Sequence, residues 1–202
     1  MTGANDSTLK RIIMNTAVLY KGREVERGIL RRDSIWDQLV FRKVQDLLGG
    51  NVRIIMSGGA PINNEILHFF RCALGCTVVE GYGQTECTGA VGITHPKEVK
   101  AGHVGPPVPC AAIKLIDVPE MNYFTENDQG EICIRGPLVS KGYYKNPEET
   151  EKTFGKDGWM HTGDIGTWLP NGVLKVIDRK KHIFKLSQGE YVAPEKIEII
   201  YL

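Results

Sequence analysis

The sequence predicts an α/β fold, in which a parallel βαβ unit is joined to a small antiparallel sheet or barrel. The first observation is a strand–helix–strand pattern over residues 52–80, where two short apolar runs flank an amphipathic helix. The second is a change of character after residue 95, where short strand-like runs alternate with turns rich in Gly and Pro. These later strands are expected at residues 113–117, 131–135, 165–169 and 173–177.

The bulk composition of the 202 residues is that of a globular chain and excludes several functional classes. An apolar content of 42% and a charged content of 24% exclude wholesale disorder. The net charge of +1 gives no electrostatic case for nucleic acid. No apolar run reaches the roughly 18 residues that a membrane helix needs. The five cysteines include no CxxC pair, which favours reduced thiols in a cytosol-facing protein.

The N-terminal part of the chain is predicted to be a solvated surface followed by a helix. The first 33 residues are polar and lean towards positive charge, which is typical of a solvated face. Residues 34–48 carry apolar side chains at helical spacing, with Asp33 or Ser34 available as a cap and two glycines, Gly49 and Gly50, to end the helix. A further short helix is expected in the later part of the chain, from Pro147 to Phe154, started by Asn146.

Two glycine-rich segments follow the strands of the βαβ unit. Residues 57–61 (SGGAP) come after the first strand, and residues 81–84 (GYGQ) come after the second. Ligands bind outside the carboxyl ends of strands in parallel sheets, so both segments are expected at a binding edge. The first has no reactive side chain and would allow the backbone to approach a flat ligand closely, although a plain strand-to-helix connection explains it as well.

The second segment continues into side chains that suit a nucleotide. Backbone amides and the Thr85 hydroxyl could cradle a phosphate, and the Glu86 carboxylate could hold Mg²⁺. Tyr82 offers a flat face on which a base could stack. The alternative is a strand-to-helix turn in which the glycines serve geometry and Glu86 starts a helix. The segment by itself does not decide between the two.

One hairpin can be predicted in detail from the turn Pro170-Asn171-Gly172. With Asn171 at its centre, Asp164 lies opposite Asp178, and Arg179 joins them at the open end. A carboxylate is the usual acceptor for the two hydroxyls of a ribose. The convergence with Arg179 favours this role for Asp164 over that of an ordinary edge-strand residue.

Four motifs, taken in chain order, resemble those of adenylate-forming enzymes. They are Ser57–Pro61, Tyr82–Glu86, Thr162–Asp164 and Asp178–Lys181. Residues 157–181 (DGWMHTGDIGTWLPNGVLKVIDRKK) closely resemble the signature of long-chain fatty acyl-CoA synthetases, and residues 185–198 are similar to its continuation. The shorter motifs also occur in acetyl-CoA synthetases, luciferases and peptide-synthetase adenylation domains.

This resemblance implies a domain arrangement. Residues 1–178 would be the C-terminal portion of the AMP-binding (adenylation) domain, part of a large N-terminal domain that combines a parallel βαβ sheet with a small antiparallel β-barrel. Residues 179–202 would be a hinge and the truncated start of a mobile C-terminal α+β domain. The chain is expected to be an internal fragment, because the family's upstream phosphate loop and downstream adenylation lysine find no counterpart in it.

The resemblance also implies roles for individual residues. Tyr82 would pack on adenine, Asp164 would bind the ribose hydroxyls with support from Arg179, and Gly58, Gly59 and Ala60 would form a wall shared by adenine and the acyl group. The implied nucleotide-binding residues are Gly58, Gly59, Ala60, Tyr82, Gly83, Gln84, Thr85, Asp164 and Arg179. The implied catalytic residues are Thr85 at the α-phosphate, Glu86 as the Mg²⁺ ligand, Lys181 as the hinge, and Lys185.

The implied activity is that of a long-chain fatty acid–CoA ligase. A fatty acid and ATP would give an acyl-adenylate and pyrophosphate, and the coenzyme A thiol would then release AMP; Mg²⁺ is the expected metal and nucleic acid is not an expected partner. Membrane association is expected only through segments absent from these residues, with the full-length enzyme on the endoplasmic reticulum, mitochondrial outer or peroxisomal membrane. The alternatives are a non-catalytic truncated product that binds a nucleotide or a partner, and an adenylating enzyme for another acyl substrate.

Overall fold

The computed structural model describes residues 3–180, 184–185 and 191–192, with side chains from residue 8 to residue 180. The described chain falls into two compact units, one formed by residues up to 79 with 95–102, the other by residues 80–94 with those from 103 onward. Its α-helices are α1 (Gly3–Glu26), α2 (Arg42–Leu47), α3 (Asn64–Leu74) and α4 (Pro147–Thr153). No helix within these ranges is long and apolar enough to cross a membrane.

The strands alternate with these helices and then dominate the later part of the chain. They are β1 (Ile54–Gly58), β2 (Thr77–Gln84), β3 (Gly89–Ile93), β4 (Ala112–Ile116), β5 (Gln129–Arg135), β6 (Met160–Trp168), β7 (Leu174–Arg179), β8 (Phe184–Lys185) and β9 (Tyr191–Val192). The architecture is therefore mixed α/β, as the sequence predicts.

In the first unit, the polar N-terminal segment forms the long helix α1. Its interpretation as a purely solvated face is wrong, because α1 has a buried side that includes Ala17 and Val25. Lys21 is also buried, with 1% of its surface exposed, and its ammonium group lies 2.9 Å from the Asp37 carboxylate. The sequence alone does not distinguish a buried lysine that pairs with an acidic residue of another segment from a lysine exposed at the surface.

The helix predicted over residues 34–48 is present, but part of it is π-helical. A π-helical stretch, Asp37–Phe41, leads into α2. Ser34 is the cap, since its Oγ accepts the Asp37 N–H at 3.2 Å while the Asp37 carboxylate accepts the Ser34 N–H at 3.0 Å. Gly49 and Gly50, with φ of 80° and 70°, end the helix as predicted.

The predicted strand–helix–strand unit is present in the order β1, α3, β2. Asn63 caps α3 by accepting the Glu65 N–H at 2.7 Å, and Gly75 ends it in the left-handed conformation at φ 54°. Leu67 and Leu74 on α3 pack with Val78 on β2 to form the core of this unit. The strands β1 and β2 are neighbours, and the Thr77 N–H donates to the Arg53 carbonyl at 3.2 Å.

In the second unit, four antiparallel strands form a sheet in the order β4-β5-β6-β7. Its core is a cluster of buried side chains from β3, β5, β6, β7 and the turn before β3: Cys87, Val91, Ile132, Ile134, Met160 and Leu174. The short helix α4 is capped by Asn146, as predicted, through the Glu149 N–H at 3.2 Å. The predicted antiparallel sheet is therefore confirmed.

The glycine-rich segment at residues 81–84 is strand rather than the predicted turn. It forms the second half of β2 and pairs antiparallel with β3, with a bulge between Tyr82 and Gly83. A Cβ on Gly83 would overlap the carbonyl of Gly89 on the opposing strand. Gly83 is needed for this close approach of two backbones, which explains how a glycine-rich run can be part of a strand.

Replacing Gly83 with alanine is therefore expected to lower the free energy of unfolding by about 3 kcal/mol, the upper end of overpacking costs. Gly158→Ala is the control, because Gly158 has a φ of 78° and open space around its Cβ position. That control is expected to cost only the roughly 1–2 kcal/mol of a left-handed alanine. Urea denaturation of both variants compares them, and equal losses would contradict the close-contact explanation.

The hairpin of β6 and β7 has the predicted register near its turn but not at its open end. Gly166 pairs with Val176 as expected, whereas Asp164 pairs with Arg179 rather than with Asp178. A bulge causes this shift, since Ile177 is an extra residue between the partners of Ile165 and Gly166. The expectation that Asp164 faces Asp178 is therefore wrong by one residue.

Candidate functional site

The candidate site is centred on the carboxylate of Asp164, in the second unit. Asp164 is only 5% exposed, yet three side chains reach its oxygens. Oδ2 accepts the Tyr82 hydroxyl at 2.8 Å and the Gln84 amide at 2.7 Å. Oδ1 lies 3.0 Å from Nε of Arg179. A buried carboxylate is thus paired with one cation and two neutral donors, as burial of a charge requires.

Three strands bring these side chains together. Tyr82 and Gln84 are two residues apart on β2, the spacing that places side chains on one face of a strand. Asp164 lies on β6, and Arg179 is its direct partner on β7. The bulge in β7 produces this pairing, so a local irregularity sets the position of the guanidinium group.

Asp164 itself belongs to a second bulge, formed by residues 162–164 on β6. On either side of this bulge, Glu131 pairs with Ile165 and Cys133 with His161, which leaves only Ile132 opposite three residues. Side chains replace the missing ladder bonds. The Thr162 hydroxyl donates to the Ile132 carbonyl at 2.7 Å and accepts the Asp164 N–H at 3.1 Å. From its position in this bulge, the Asp164 carboxylate contacts Tyr82 and Gln84 on β2.

The electrostatics of the site keep Tyr82 protonated. Burial raises the pKa of the Tyr82 hydroxyl well above its usual value, and the negative charge of Asp164 raises it further. Tyr82 is therefore a hydrogen-bond donor at any physiological pH. The Arg179 side chain is about half exposed, so its guanidinium also faces solvent.

A short 3-10 turn, Thr85–Cys87, follows β2 and presents two more predicted site residues. Thr85 is exposed. Oε1 of Glu86 accepts the Tyr143 hydroxyl at 2.6 Å, and this hydrogen bond, together with burial, raises the pKa of Tyr143. Cys87 stabilises the turn, since its sulfur accepts the Gln84 N–H at 3.1 Å.

Glu86 suits a magnesium ion bound mainly by a phosphate ligand. Over the part of the chain that the structure describes, no group of three or more His, Cys, Asp or Glu side chains could hold a metal. Mg²⁺ commonly needs only one or two carboxylates because substrate phosphates and water complete its octahedral shell. The Tyr143 hydrogen bond occupies Oε1 and leaves Oε2 of Glu86 as the candidate ligand atom.

The remaining predicted site residues belong to the first unit, to β8 or to a position outside the described residues. Gly58 is the last residue of β1 and is followed by Gly59 at φ 87° and Ala60, all three exposed in the first unit. Lys185 lies on β8, where its backbone pairs with Tyr191. Lys181 lies outside the described residues.

Two residues of the site were missed by the sequence reasoning. Tyr143 contacts Glu86 from 57 positions away in the chain, and no periodicity or motif spacing links the two. Thr162 belongs to one of the recognised motifs, but its hydroxyl has the further role of supporting Asp164, whose N–H it accepts. A threonine two residues before a key carboxylate is a recognisable local signal, because Ser and Thr often bond the backbone two residues on.

Comparison with known sequences identifies relatives that cover nearly all of the chain. It is 60% identical over 193 residues to the mouse long-chain-fatty-acid–CoA ligase 5, and the matched region covers 96% of this chain and 28% of that protein. It is 56% identical over 200 residues to the human long-chain-fatty-acid–CoA ligase 1, covering 99% of this chain and 29% of that protein. The chain thus spans less than a third of the length of these relatives.

Two solved structures of similar fold were determined in complex with a nucleotide. The adenylation domain of a carboxylic acid reductase from Segniliparus rugosus, in complex with AMP and a co-purified carboxylic acid, superposes with a TM-score of 0.67. It is 34% identical, and the match covers 95% of this chain and 30% of that one. The O-succinylbenzoate coenzyme A synthetase of Bacillus subtilis, in complex with ATP and magnesium, has a TM-score of 0.65 and 29% identity over 80% of this chain and 34% of that one.

The family comparison agrees with these likenesses. Residues 26–144 match the model of a family described as AMP-binding enzyme. They include Tyr82, Gln84 and Glu86, three of the side chains that form the candidate site. Because the match spans more than half of the chain, the chain belongs to the family of AMP-binding enzymes.

Proposed function

We propose that this chain carries the nucleotide site of an ATP-dependent acid–thiol ligase that converts long-chain fatty acids into their coenzyme A thioesters. The observation that carries the proposal is the buried Asp164 carboxylate, held by Tyr82, Gln84 and Arg179. A carboxylate placed in this way is a strong acceptor for the hydroxyls of a ribose.

Binding of a ribose requires some of the present bonds to be exchanged. Each carboxylate oxygen has two acceptor positions. Those of Oδ2 are taken by Tyr82 and Gln84, whereas Oδ1 keeps one position beside Arg179. A diol that donates two hydrogen bonds therefore displaces one donor from Oδ2. Tyr82 is the proposed residue, since release of its hydroxyl would free its ring to pack on the adenine.

The phosphates would then lie towards the Thr85–Cys87 turn. The exposed Thr85 hydroxyl is the proposed donor to the α-phosphate, with Gly83 and Gln84 at the adjoining end of β2. Glu86 would hold Mg²⁺ together with phosphate oxygens, and the ion would supply positive charge against the charge that develops on phosphorus. Gly58, Gly59 and Ala60 remain the proposed wall for adenine and the acyl group.

The proposed chemistry has two steps. A carboxylate oxygen of the acid attacks the α-phosphorus of ATP, and pyrophosphate leaves. The coenzyme A thiolate then attacks the acyl carbon of the mixed anhydride, and AMP leaves. Activation is needed because a carboxylate is a poor electrophile. This chain's contribution is to hold the ribose and present donors to the phosphate, which is electrostatic preorganisation.

The fatty acid as substrate and coenzyme A as acceptor are proposed from the relatives, whose names specify this activity. The second step requires a change of active-site groups, for which a hinge at Lys181 and a catalytic contribution from Lys185 are proposed. The division of the chain into residues 1–178 and 179–202 also stays a prediction, because Lys181 lies outside the described residues.

The Glu86 assignment predicts an effect of its tyrosine partner. Tyr143→Phe is expected to raise the Mg²⁺ concentration for half-maximal adenylate formation by about tenfold, the lower end for removal of a group that orients a metal ligand. Mn²⁺ binding in the presence of ATP, followed by electron paramagnetic resonance, should weaken in parallel. The adjacent Tyr144 is 88% exposed, so Tyr144→Phe is the matched control. Equal metal affinity in the two variants would remove the orienting role of Tyr143.

The function is tested by ATP–pyrophosphate exchange with the full-length protein that carries this chain. Palmitate should support exchange without coenzyme A, and addition of coenzyme A should release AMP and consume the thiol. If exchange requires a different carboxylic acid, the proposed adenylating activity is supported, but the fatty acid is rejected as its substrate. Binding of AMP without exchange for any acid would instead favour a non-catalytic nucleotide-binding protein.

A further inference from the structure

Glu131 is a buried carboxylate that the proposed mechanism does not use. It lies on β5, only 7% exposed, and directly precedes Ile132, the residue opposite the bulge formed by residues 162–164. Its Oε1 accepts the Gly163 N–H at 3.1 Å. Gly163 is the middle residue of the bulge and has a φ of 72°. A side chain therefore supplies the acceptor that a regular neighbouring strand would provide.

Glu131 also contacts the opposing strand end. Its Oε2 lies 3.8 Å from Nζ of Lys180, and the Lys180 N–H donates to the Gly163 carbonyl at 2.8 Å. This backbone hydrogen bond lies next to the pair formed by Asp164 and Arg179. Two further charged or titratable groups face this cluster. His161 lies 3.8 Å from Oε1 of Glu131, and Glu120 lies 3.0 Å from Nζ of Lys180.

We infer that Glu131 is a positioning residue for nucleotide binding, which fixes the bulge at residues 162–164 and thereby holds Asp164 and Arg179 where a ribose can bind. This inference rests on the proposed function, since it assigns Glu131 to the same site. Its essential contact is the hydrogen bond to Gly163, because that bond restrains the main chain next to Asp164. The longer contact with Lys180 is secondary, as a 3.8 Å pair with a half-exposed ammonium group contributes little.

Two substitutions separate the hydrogen bond from the ion pair. Glu131→Gln removes the charge but keeps an amide oxygen that can accept the Gly163 N–H. Glu131→Asp keeps the charge but withdraws the carboxylate by one methylene group. A positioning role through Gly163 predicts that Gln is the milder change, whereas a role through Lys180 alone predicts that Asp is milder. Glu120→Gln is the matched control, because Glu120 contacts Lys180 in the second unit without reaching Gly163.

The readout is the preference for AMP over 2′,3′-dideoxy-AMP, measured by calorimetry with the full-length protein. The unchanged protein should prefer AMP by about tenfold or more, the value of a hydrogen bond to a charged group. Glu131→Asp should bring this ratio to within about threefold of unity by weakening AMP alone, since only the ribose contact is displaced. Glu131→Gln and Glu120→Gln should retain most of the preference.

Other results would overturn the inference. If Glu131→Asp weakens AMP and dideoxy-AMP equally, Glu131 has a general structural role. If Glu131→Asp keeps the preference, or if Gln is more damaging than Asp, the Gly163 contact does not position the site. Asp164→Ala distinguishes failure of the inference from failure of the proposed function. If Asp164→Ala loses the preference for AMP while Glu131→Asp keeps it, the inference about Glu131 is rejected and the proposed function stands. If the unchanged protein shows no preference for AMP, both the inference and the proposed function are rejected.

Discussion

Asp164→Ala is expected to raise the dissociation constants of the full-length protein for AMP and ATP by about 10- to 100-fold, equivalent to roughly 1.5–3 kcal/mol for lost hydrogen bonds to a charged group. The substitution removes the proposed acceptor of the ribose hydroxyls. It also leaves Arg179 without its buried partner and releases the Tyr82 and Gln84 side chains. The maximal rate of adenylate formation at saturating ATP should fall much less, because the ribose lies away from the reacting phosphorus.

Asp178→Ala is the matched control for this prediction. Asp178 is a second buried acid at the same end of the hairpin, but the bulge in β7 places it beside Tyr123, whose hydroxyl lies 3.3 Å from Oδ2. Asp178→Ala removes an acceptor of the Arg179 main-chain N–H, at 2.8 Å, but leaves the Asp164 carboxylate and its bonds to Tyr82 and Gln84 in place, so nucleotide affinity should stay within about threefold of the unchanged protein. Equal loss of affinity in both variants, with similar thermal unfolding, would show that Asp164 has no special role at the ribose.

Lys21→Ala is expected to have the largest effect on stability, lowering the free energy of unfolding by about 3–5 kcal/mol. The Lys21 ammonium donates to the Asp37 carboxylate at 2.9 Å and to the Arg31 carbonyl at 2.6 Å. The side chains of Lys21 and Asp37 are only 2% and 1% exposed. Removal of the lysine leaves a buried carboxylate whose remaining partners, Ser34 and Gln45, are neutral. Urea denaturation measures the loss.

A double variant checks the cause of this loss. Lys21→Met combined with Asp37→Asn should recover most of the stability, because no unpaired charge is then buried and the amide oxygen of the asparagine can still accept the hydrogen bonds of Ser34. Lys43→Ala, at an exposed position of α2, should change stability by no more than about 0.5 kcal/mol. If the double variant is less stable than Lys21→Ala, burial of an unpaired charge is not the reason for the loss.

The same network predicts a dependence of stability on pH. Burial opposes ionisation of Asp37, but its hydrogen bonds to Ser34 and Lys21 outweigh this and lower its pKa below the ordinary 3.8. A carboxylate with a lowered folded-state pKa stabilises the fold above its ordinary pKa. That contribution is lost as the pH falls through the folded pKa. Acid titration should therefore destabilise the unchanged protein more than the double variant in the acidic range below that ordinary value.

Local rules were enough to predict most of the elements. The helix α3 follows from its apolar spacing, its Asn63 cap and the glycine after its end, all of which lie within a few residues of one another. The turn Pro170-Asn171-Gly172 likewise fixed the register of the hairpin next to it. Farther from the turn, Ile177 is an extra residue in β7, and Asp164 therefore pairs with Arg179 instead of with Asp178. The position of a bulge depends on packing against neighbouring strands, and this packing cannot be predicted from the nearby residues alone.

The candidate site was predictable in its residues but not in its contacts. Asp164 and Arg179 were brought together by hairpin reasoning alone, and the structure pairs them directly. Tyr82 was expected to present its ring, whereas its hydroxyl is bound to Asp164 across 82 positions in the chain. The burial of Lys21 was missed for the same reason, because its partner lies on another helical segment. Contacts between distant segments depend on tertiary packing rather than on spacing.

The formation of an acyl-adenylate is tested most directly by an isotope transfer. Palmitate labelled with ¹⁸O in its carboxyl group is supplied with ATP, Mg²⁺ and coenzyme A to the full-length protein that carries this chain, and the products are analysed by mass spectrometry. Attack of a carboxylate oxygen on the α-phosphorus, followed by thiolate attack on the acyl carbon, transfers a single labelled oxygen to AMP. The account predicts labelled AMP and unlabelled pyrophosphate. Label in inorganic phosphate, as expected for an acyl-phosphate intermediate, or acyl-CoA formed with unlabelled AMP, would contradict it.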